Sequence, residues 1–305
     1  MPSLFWTGRL SLPMKVLVEA NNLLSVFTGS FADLAGMKER VRRGYEAEFS
    51  DHVHYYDERG YHLQDRSARV QLEGLDFRGA SVLDVGCGTG ALTRVAREQG
   101  AKSLTCGDIA AFMLGKAMAK EIDEGRPSAF CQLDAEGLPF PDGSFDAVIS
   151  GMTFGTLPRQ KLVTDEMIRV TKPGGLVCIG AHGPEHYWEA IDATLRCIDK
   201  RRVLGYRFEW WPRTERYIRG LLERSHLEGI QSRRVVWRNE FMDGSAAYDF
   251  FASISSSWWY AKFPPEQREL DAARTRAYFF RKNVRIVTDD IVVAYGCKPS
   301  EADGS

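Results

Sequence analysis

The chain has 305 residues, 44% hydrophobic and 27% charged, and its 40 Lys and Arg nearly cancel 41 Asp and Glu to a formal net charge of -1. That balance gives no overall bias towards nucleic acid or an acidic membrane surface, and the length admits one large domain or a core with an insertion. The six cysteines are scattered without a CxxC pair, which argues against a disulfide framework. The apolar stretch Leu10–Phe27 is interrupted by Lys15, Glu19, Asn21 and Asn22, so it reads as neither a membrane span nor a signal core, and a cytoplasmic protein is expected.

In chain order, Pro13–Phe27 reads as an amphipathic helix that caps the core or pairs with a second copy of the chain in a homodimer. Met37–Phe49 is a second, more charged helical stretch. His52, His54, Tyr55 and Tyr56 follow, either as part of a lid over a ligand or packed on a sheet edge. A helix over Leu63–Leu75 and the break at Gly79 close an N-terminal helical extension, residues 1–80. From Ser81 the rhythm becomes strand, helix, strand. Strands are expected at Val82–Val85, Ser103–Asp108, Ser128–Leu133, Phe145–Ser150 and Leu176–Ala181, with helices at Ala91–Gln99, Phe112–Glu124 and Leu162–Val170. Helices at Glu185–Lys200 and Thr214–Ser225, then strands at Ile230–Trp237 and Ile291–Cys297, complete a core over residues 81–298. Between the last two strands lies an insertion, about Glu240–Lys282, rich in aromatic residues, and the tail 299–305 reads as disordered. The alternation predicts an α/β fold: a doubly wound, seven-stranded, mainly parallel sheet with its last strand antiparallel and a helical cap inserted before it.

The chemistry concentrates at Val82-Leu83-Asp84-Val85-Gly86-Cys87-Gly88-Thr89-Gly90, a buried-strand pattern breaking into a glycine-rich turn before a helix. The glycines permit positive φ and close approach of a ligand to the backbone. Gly86, Gly88 and Ala91 satisfy the GxGxxG/A dinucleotide pattern, and Asp108 follows at the end of the next strand, so an NAD(P)- or FAD-dependent oxidoreductase is one reading. Asp84 opposes it, because a carboxylate just before the first glycine repels a pyrophosphate. Asp134 adds a third strand-end acid that the dinucleotide scheme does not require. Any one of these acids could be a helix N-cap, but three at successive strand ends point to a ligand.

Taken together, these stretches resemble the class I S-adenosylmethionine-dependent methyltransferases, in particular their type 11-like subgroup acting on small molecules. Asp84–Gly90 resembles the family's first motif, and Asp108-Ile109 its acid and apolar neighbour after strand two. The stretch from Asp134 through Leu138-Pro139-Phe140-Pro141-Asp142-Gly143 to Asp146 resembles the segment spanning strands three and four. Arg169–Gly175 resembles the turn before strand five. The resemblance implies a cofactor, S-adenosylmethionine, that has no phosphate and welcomes carboxylates. It places the Gly86 and Gly88 backbone against that cofactor, Asp84 near its amino group and Asp108 on both ribose hydroxyls. It places Ile109 on the adenine face, Asp134 with the Ala135 backbone at the exocyclic amine, and Ser150 as a further main-chain contact to the amino group.

The acceptor is read from less. The NPPY-type signature of amide and base-amine methylation is replaced by Ser150-Gly151-Met152-Thr153. The insertion's Phe250, Phe251, Trp258, Trp259, Tyr260, Tyr278, Phe279 and Phe280, with Phe208, Trp210 and Trp211, either wall an apolar acceptor pocket or form the core of a cap. His182 and His186 follow strand five, where an acceptor site opens, and are candidate catalytic bases. His182-Gly183-Pro184-Glu185-His186 also spells an HxxEH zinc pattern, but Gly183 and Pro184 oppose the continuous helix it needs, so no metal is expected. The basic stretch Lys200, Arg201, Arg202, Arg207 and Arg213 reads as long stems covering apolar surface. These features give methyl transfer to a small apolar or aromatic acceptor, with no nucleic-acid partner and no membrane span. An oxidoreductase or a non-catalytic cofactor-binding module are the other readings.

Overall fold

A computed structural model describes residues 34–46, 63–123, 128–197, 213–252 and 265–300, together with positions 12, 16 and 20. Most of the Pro13–Phe27 stretch, His52–Tyr56, Lys200–Arg207, Phe208, Trp210, Trp211, Trp258–Tyr260 and 301–305 lie outside the described residues. Two N-terminal helices, α1 (Leu34–Gly44) and α2 (Leu63–Leu72), precede β1 (Ser81–Val85), α3 (Ala91–Glu98), β2 (Ser103–Asp108), α4 (Ala111–Asp123) and β3 (Ala129–Gln132). Then come β4 (Phe145–Ser150), α5 (Gln160–Val170), β5 (Thr171–His182), α6 (Trp188–Cys197), α7 (Glu215–Arg224) and β6 (Glu228–Glu240). Helices α8 (Gly244–Phe251) and α9 (Pro265–Lys282) lead into β7 (Ile286–Cys297).

The seven strands form one sheet in the order β3-β2-β1-β4-β5-β7-β6. The β1–β2, β1–β4, β2–β3 and β4–β5 pairs are parallel, whereas β7 runs antiparallel to both β5 and β6. The expected sheet is therefore present. A dinucleotide-binding sheet has the order 3-2-1-4-5-6; here an antiparallel strand is wedged between five and six.

Strand β1 is buried along Val82–Val85 because helices cover both sheet faces. Its period of two sends Val82 into a cluster with Leu72 of α2, Val95 and Ala96 of α3, and Ile149. Leu83 and Val85 join the opposite cluster with Val163 and Met167 of α5 and Ile218 and Leu222 of α7. A separate apolar cluster unites α6, α8 and α9 through Ile191, Leu195, Tyr248, Phe250, Phe251 and Phe279.

Three sequence expectations are corrected. Lys172–Gly175, read as a turn before Leu176, continues one strand from Thr171 to His182, with an irregular register against Phe145–Ala147. Strand β6 is longer than Ile230–Trp237 and takes in Glu240, the residue with which the insertion was expected to begin. Strand β7 starts at Ile286, five residues before Ile291. Asp289 and Asp290 conceal its first half from a hydrophobicity reading, and both are buried. Arg234 of β6 resolves one of them, donating Nε at 2.9 Å and Nη2 at 2.7 Å to Asp290.

Candidate cofactor and acceptor site

A cavity of about 240 Å³ opens at the carboxyl ends of β1, β2, β4 and β5, where ligands of such sheets bind. It is bounded by the loop after β1, the β3–β4 connection, helices α1 and α2, and the start of β7. Asp84, Gly86, Gly88, Asp108, Ile109, Asp134, Ala135, His182 and His186 all line it. The fold thus collects residues from five strand ends into one space.

Gly86 has φ +72°, and a Cβ there would run into the Thr153 side chain. Gly88 has φ +54° with open space where a Cβ would stand, so its backbone faces the cavity uncovered.

Asp84 is 1% exposed. Its Oδ2 accepts a 2.8 Å hydrogen bond from Thr93 Oγ1, while Oδ1 is buried without a partner. Burial pushes its carboxyl up to about 7, with Thr93 pulling the other way and Asp108 adding to the rise. An unpartnered carboxylate oxygen beside a cavity is costly unless a donor arrives there.

Asp108 is tied to the loop by its own backbone neighbours. Oδ2 accepts from Gly88 N at 2.9 Å and Oδ1 from Ala110 N at 2.9 Å. Burial raises its carboxyl, opposed by these backbone donors. Tyr45, just beyond α1, borders the same cavity, and burial together with the Asp108 charge pushes its hydroxyl up to about 12. Glu46 accepts from the Ala111 N–H at 3.0 Å, placing the end of α1 over the turn into α4.

Asp134 Oδ1 accepts from Glu136 N at 3.0 Å, a local turn, and its Oδ2 meets Lys38 Nζ of α1 at 2.6 Å. Lys38 reaches Glu136 Oε2 at the same distance. Helix α1 therefore crosses the cavity at three of its acids: Lys38 at Asp134 and Glu136, and Tyr45 at Asp108.

Ser150 is the exception among the expected cofactor residues. It is fully buried behind the wall, where its Oγ donates to Val85 O at 2.7 Å and its carbonyl accepts from Gln71 Nε2 at 2.9 Å. Gln71 of α2, which the sequence reading missed, takes the place expected for Ser150 at the cavity lining. The signal was present in two glycines: a Cβ on Gly151 or on Gly180 would collide with the Gln71 amide.

His182, His186, Tyr187 and Asp289 form the cavity's other end. The His182 and His186 rings lie 4.4 Å apart, and His186 and Tyr187 rings 3.8 Å apart. Burial lowers His182 to about 3 and His186 well below its ordinary value, so both rings are neutral. His186 Nδ1 accepts the Asp290 backbone N–H at 3.2 Å and lies 3.6 Å from Asp289 Oδ1. Burial pushes Asp289 up to about 7, against hydrogen bonds from Asn239 and Tyr187. Asp289 was also missed by the sequence reading; two adjacent acids before an apolar strand were its only trace.

Of the insertion's aromatic residues, Phe250, Phe251 and Phe279 are buried in the cap's own core, and none of them lines the cavity. Tyr187 is the junction, edge-on to Phe250 and Phe251 at 6.2 and 6.3 Å. Among the described residues no group of three or more His, Cys, Asp or Glu is arranged to hold a metal ion, and no helix is long and apolar enough to cross a membrane.

Comparisons with known proteins show the same fold and a match to one domain family. The methyltransferase domain family matches residues 83–179. An uncharacterized protein of Mycobacterium tuberculosis is 33% identical over 157 residues, which are 52% of this chain and 57% of that one. A ubiquinone/menaquinone biosynthesis C-methyltransferase of Methylococcus capsulatus is 37% identical over 105 residues, 33% of this chain and 42% of its own. The chain thus matches about half the length of these curated relatives. Among solved structures, the YcgJ protein of Bacillus subtilis shares the fold with a TM-score of 0.52 at 17% identity, covering 77% of this chain and 99% of that one. The glycine loop, the strand-end acids and the antiparallel β7 lie in the stretch and sheet where the match falls: residues 83–179 match the methyltransferase domain family.

Proposed function

We propose that the cavity binds S-adenosylmethionine and directs its methyl group to a small acceptor with an apolar or aromatic body. The observation that carries this is the buried, unpartnered Oδ1 of Asp84 beside the open Gly88 backbone. An ammonium group satisfies that oxygen, whereas a pyrophosphate would meet it as a like charge. In this reading Asp84 takes the amino group, the Gly86 and Gly88 backbone lies along the cofactor, and Asp108 accepts from the ribose hydroxyls. Ile109 packs on the adenine, and Asp134 with Ala135 meets its exocyclic amine. Gln71 replaces Ser150 as the polar group lining the β4 side.

When bound, the cofactor supplies an electrophilic methyl on a sulfonium, and its sulfur keeps the bonding pair. The chain's own contribution is positioning and the exclusion of water, with Leu92, Met152, Leu157 and Pro158 supplying apolar wall. The neutral rings at the other end, His182 and His186, are the groups able to receive a proton that a hydroxyl or amine acceptor must lose. Helix α1 acts as a lid over the adenosine end, latched by Lys38.

Calorimetry tests the cofactor. S-adenosylmethionine and S-adenosylhomocysteine are expected to bind and NAD not to; NAD binding with no response to either would replace this reading with an oxidoreductase. Incubation of the protein with methyl-labelled cofactor and a metabolite extract tests turnover. Label in a small molecule supports transfer, while binding without transfer to any component leaves a cofactor-binding module.

A further inference from the structure

The basic stretch Lys200, Arg201, Arg202, Arg207 and Arg213 reads in the sequence as long stems covering apolar surface. Arg213, its member among the described residues, is held in another way. It is tied to the acceptor end of the cavity from two sides. Its backbone N–H donates to His182 O at 2.7 Å, and its Nε donates to Gln160 Oε1 at 3.0 Å. His182 lines the cavity, and so do Thr156, Leu157 and Pro158 just before Gln160. Gln160 is buried, and its Nε2 donates to Phe154 O, which turns Oε1 towards Arg213. The guanidinium carbon lies 5.1 Å from the centre of the Tyr217 ring. Contacts on separate segments of the chain therefore fix where this guanidinium sits.

What this guanidinium lacks is an acid. Every nitrogen of an arginine head is a donor. Nε is used on Gln160, whereas Nη1 and Nη2 have neither an acceptor nor a carboxylate partner among the described residues. The residue is partly buried, and desolvation depresses its basicity, with Tyr217 pulling the other way. A cation that has lost water and gained no counter-charge costs stability. Its planar fork, held with both Nη atoms free, matches a carboxylate or a phosphate through two parallel hydrogen bonds. The cavity's own charges decide which end of an acceptor comes here. Asp84, Asp108, Asp134, Glu136 and Asp289 line it, and Lys38 is already held by Asp134 and Glu136. An anionic group is repelled by that lining and favoured at Arg213.

We propose that Arg213 is a specificity-determining residue, whose guanidinium receives an oxyanion, carboxylate or phosphate, at the end of the acceptor remote from the methylated atom. This rests on reading the cavity as a methyl-transfer site. The acceptor class it gives is amphipathic: an apolar or aromatic body along Leu157 and Pro158, with one anionic terminus. The terminus orients the molecule, because the acids around the cofactor end repel it and the fork at the other end holds it.

Calorimetry on the full chain tests this with benzoate, phenyl phosphate and benzyl alcohol, each titrated with and without saturating S-adenosylhomocysteine. At least one of the two anions is expected to bind, and Arg213→Gln should weaken it by roughly 10- to 100-fold. The tighter of the two identifies the oxyanion that the fork accepts. Benzyl alcohol keeps the ring without the charge, and should bind more weakly than that anion and equally to both proteins. Affinity for S-adenosylhomocysteine should be the same in both. Failure of the wild-type chain to bind it would count against the methyl-transfer reading, while the titrations without it would still decide whether Arg213 holds an anion. In thermal melts Arg213→Gln should unfold no lower than wild type, since it removes a charge without a counter-charge. The proposal is overturned if neither anion binds, if anion affinity survives Arg213→Gln, or if the variant melts well below wild type, which would make Arg213 a structural residue.

Discussion

Asp84 and Asp289 make an instructive pair. Both are buried strand acids, both border one cavity, and burial pushes both carboxyls up to about 7. Their surroundings differ. Asp84 receives a hydrogen bond from Thr93 and keeps an oxygen without a partner, whereas Asp289 is held by Asn239 and Tyr187 and faces His186. A buried carboxylate with an unsatisfied oxygen in a cavity-lining residue leaves room for a donor to arrive; one completed by its neighbours organises the wall. In the proposed function, the difference separates a cofactor half of the cavity from an acceptor half.

The largest expected effect breaks the cofactor half. Asp84→Asn removes the charge that the ammonium requires and should weaken S-adenosylhomocysteine binding by about 1.5–3 kcal/mol, roughly 10- to 100-fold, by calorimetry. Unchanged affinity would remove Asp84 from the site. The sign of the pH dependence follows from the raised carboxyl. In the unfolded chain Asp84 loses its proton near pH 4 and in the folded chain only near pH 7, so folded protein binds more protons between these values. Its stability should therefore fall as pH rises from about 4 to about 7, while affinity for the ammonium-bearing cofactor rises through the same window. Thermal melts across pH should show a flatter slope in Asp84→Asn.

Asp289→Ala tests the other half, with a smaller effect of a different kind. It leaves Asn239 and Tyr187 without their shared acceptor and should destabilise the fold by about 1–3 kcal/mol in urea titrations, with the cofactor affinity unchanged. A fall in affinity equal to that of Asp84→Asn would erase the distinction between the two acids. Lys38→Met should have the smallest effect on stability, less than about 1 kcal/mol, because its ion pairs are partly exposed to water. Its expected signature is kinetic: S-adenosylhomocysteine should leave faster in stopped-flow measurements once the α1 latch is gone. An unaltered release rate would reduce α1 to a structural covering.

The legibility of the molecule in its sequence follows the same division. Strands β1 and β4 were readable because parallel strands buried on both faces leave apolar runs, and the acids Asp84, Asp108 and Asp134 stand out where short apolar runs give way to a charge. The first half of β7 was hidden because Asp289 and Asp290 interrupt its apolar pattern, and long-range partners such as Arg234 and Asn239 on the neighbouring strand make them tolerable. Ser150 was misplaced for a related reason. Its position at a strand end is local information, but the direction of its hydroxyl depends on Val85 and the occupation of its carbonyl depends on Gln71, 79 positions away.

By itself the sequence determined the sheet, the glycine loop and the acidic character of the cavity beside that loop, because each is written in a local pattern of a few residues. Only the tertiary structure decided that Gln71 and not Ser150 lines the cavity, that Lys38 closes on Asp134, and that the Asp290 N–H meets Nδ1 of His186. It also decided that the described aromatic residues of the insertion pack on one another, with Tyr187 against Phe250 and Phe251, and do not line the cavity. Those outcomes depend on which groups meet across long separations in the chain, and burial charges a full desolvation cost for every polar group that such a meeting fails to satisfy.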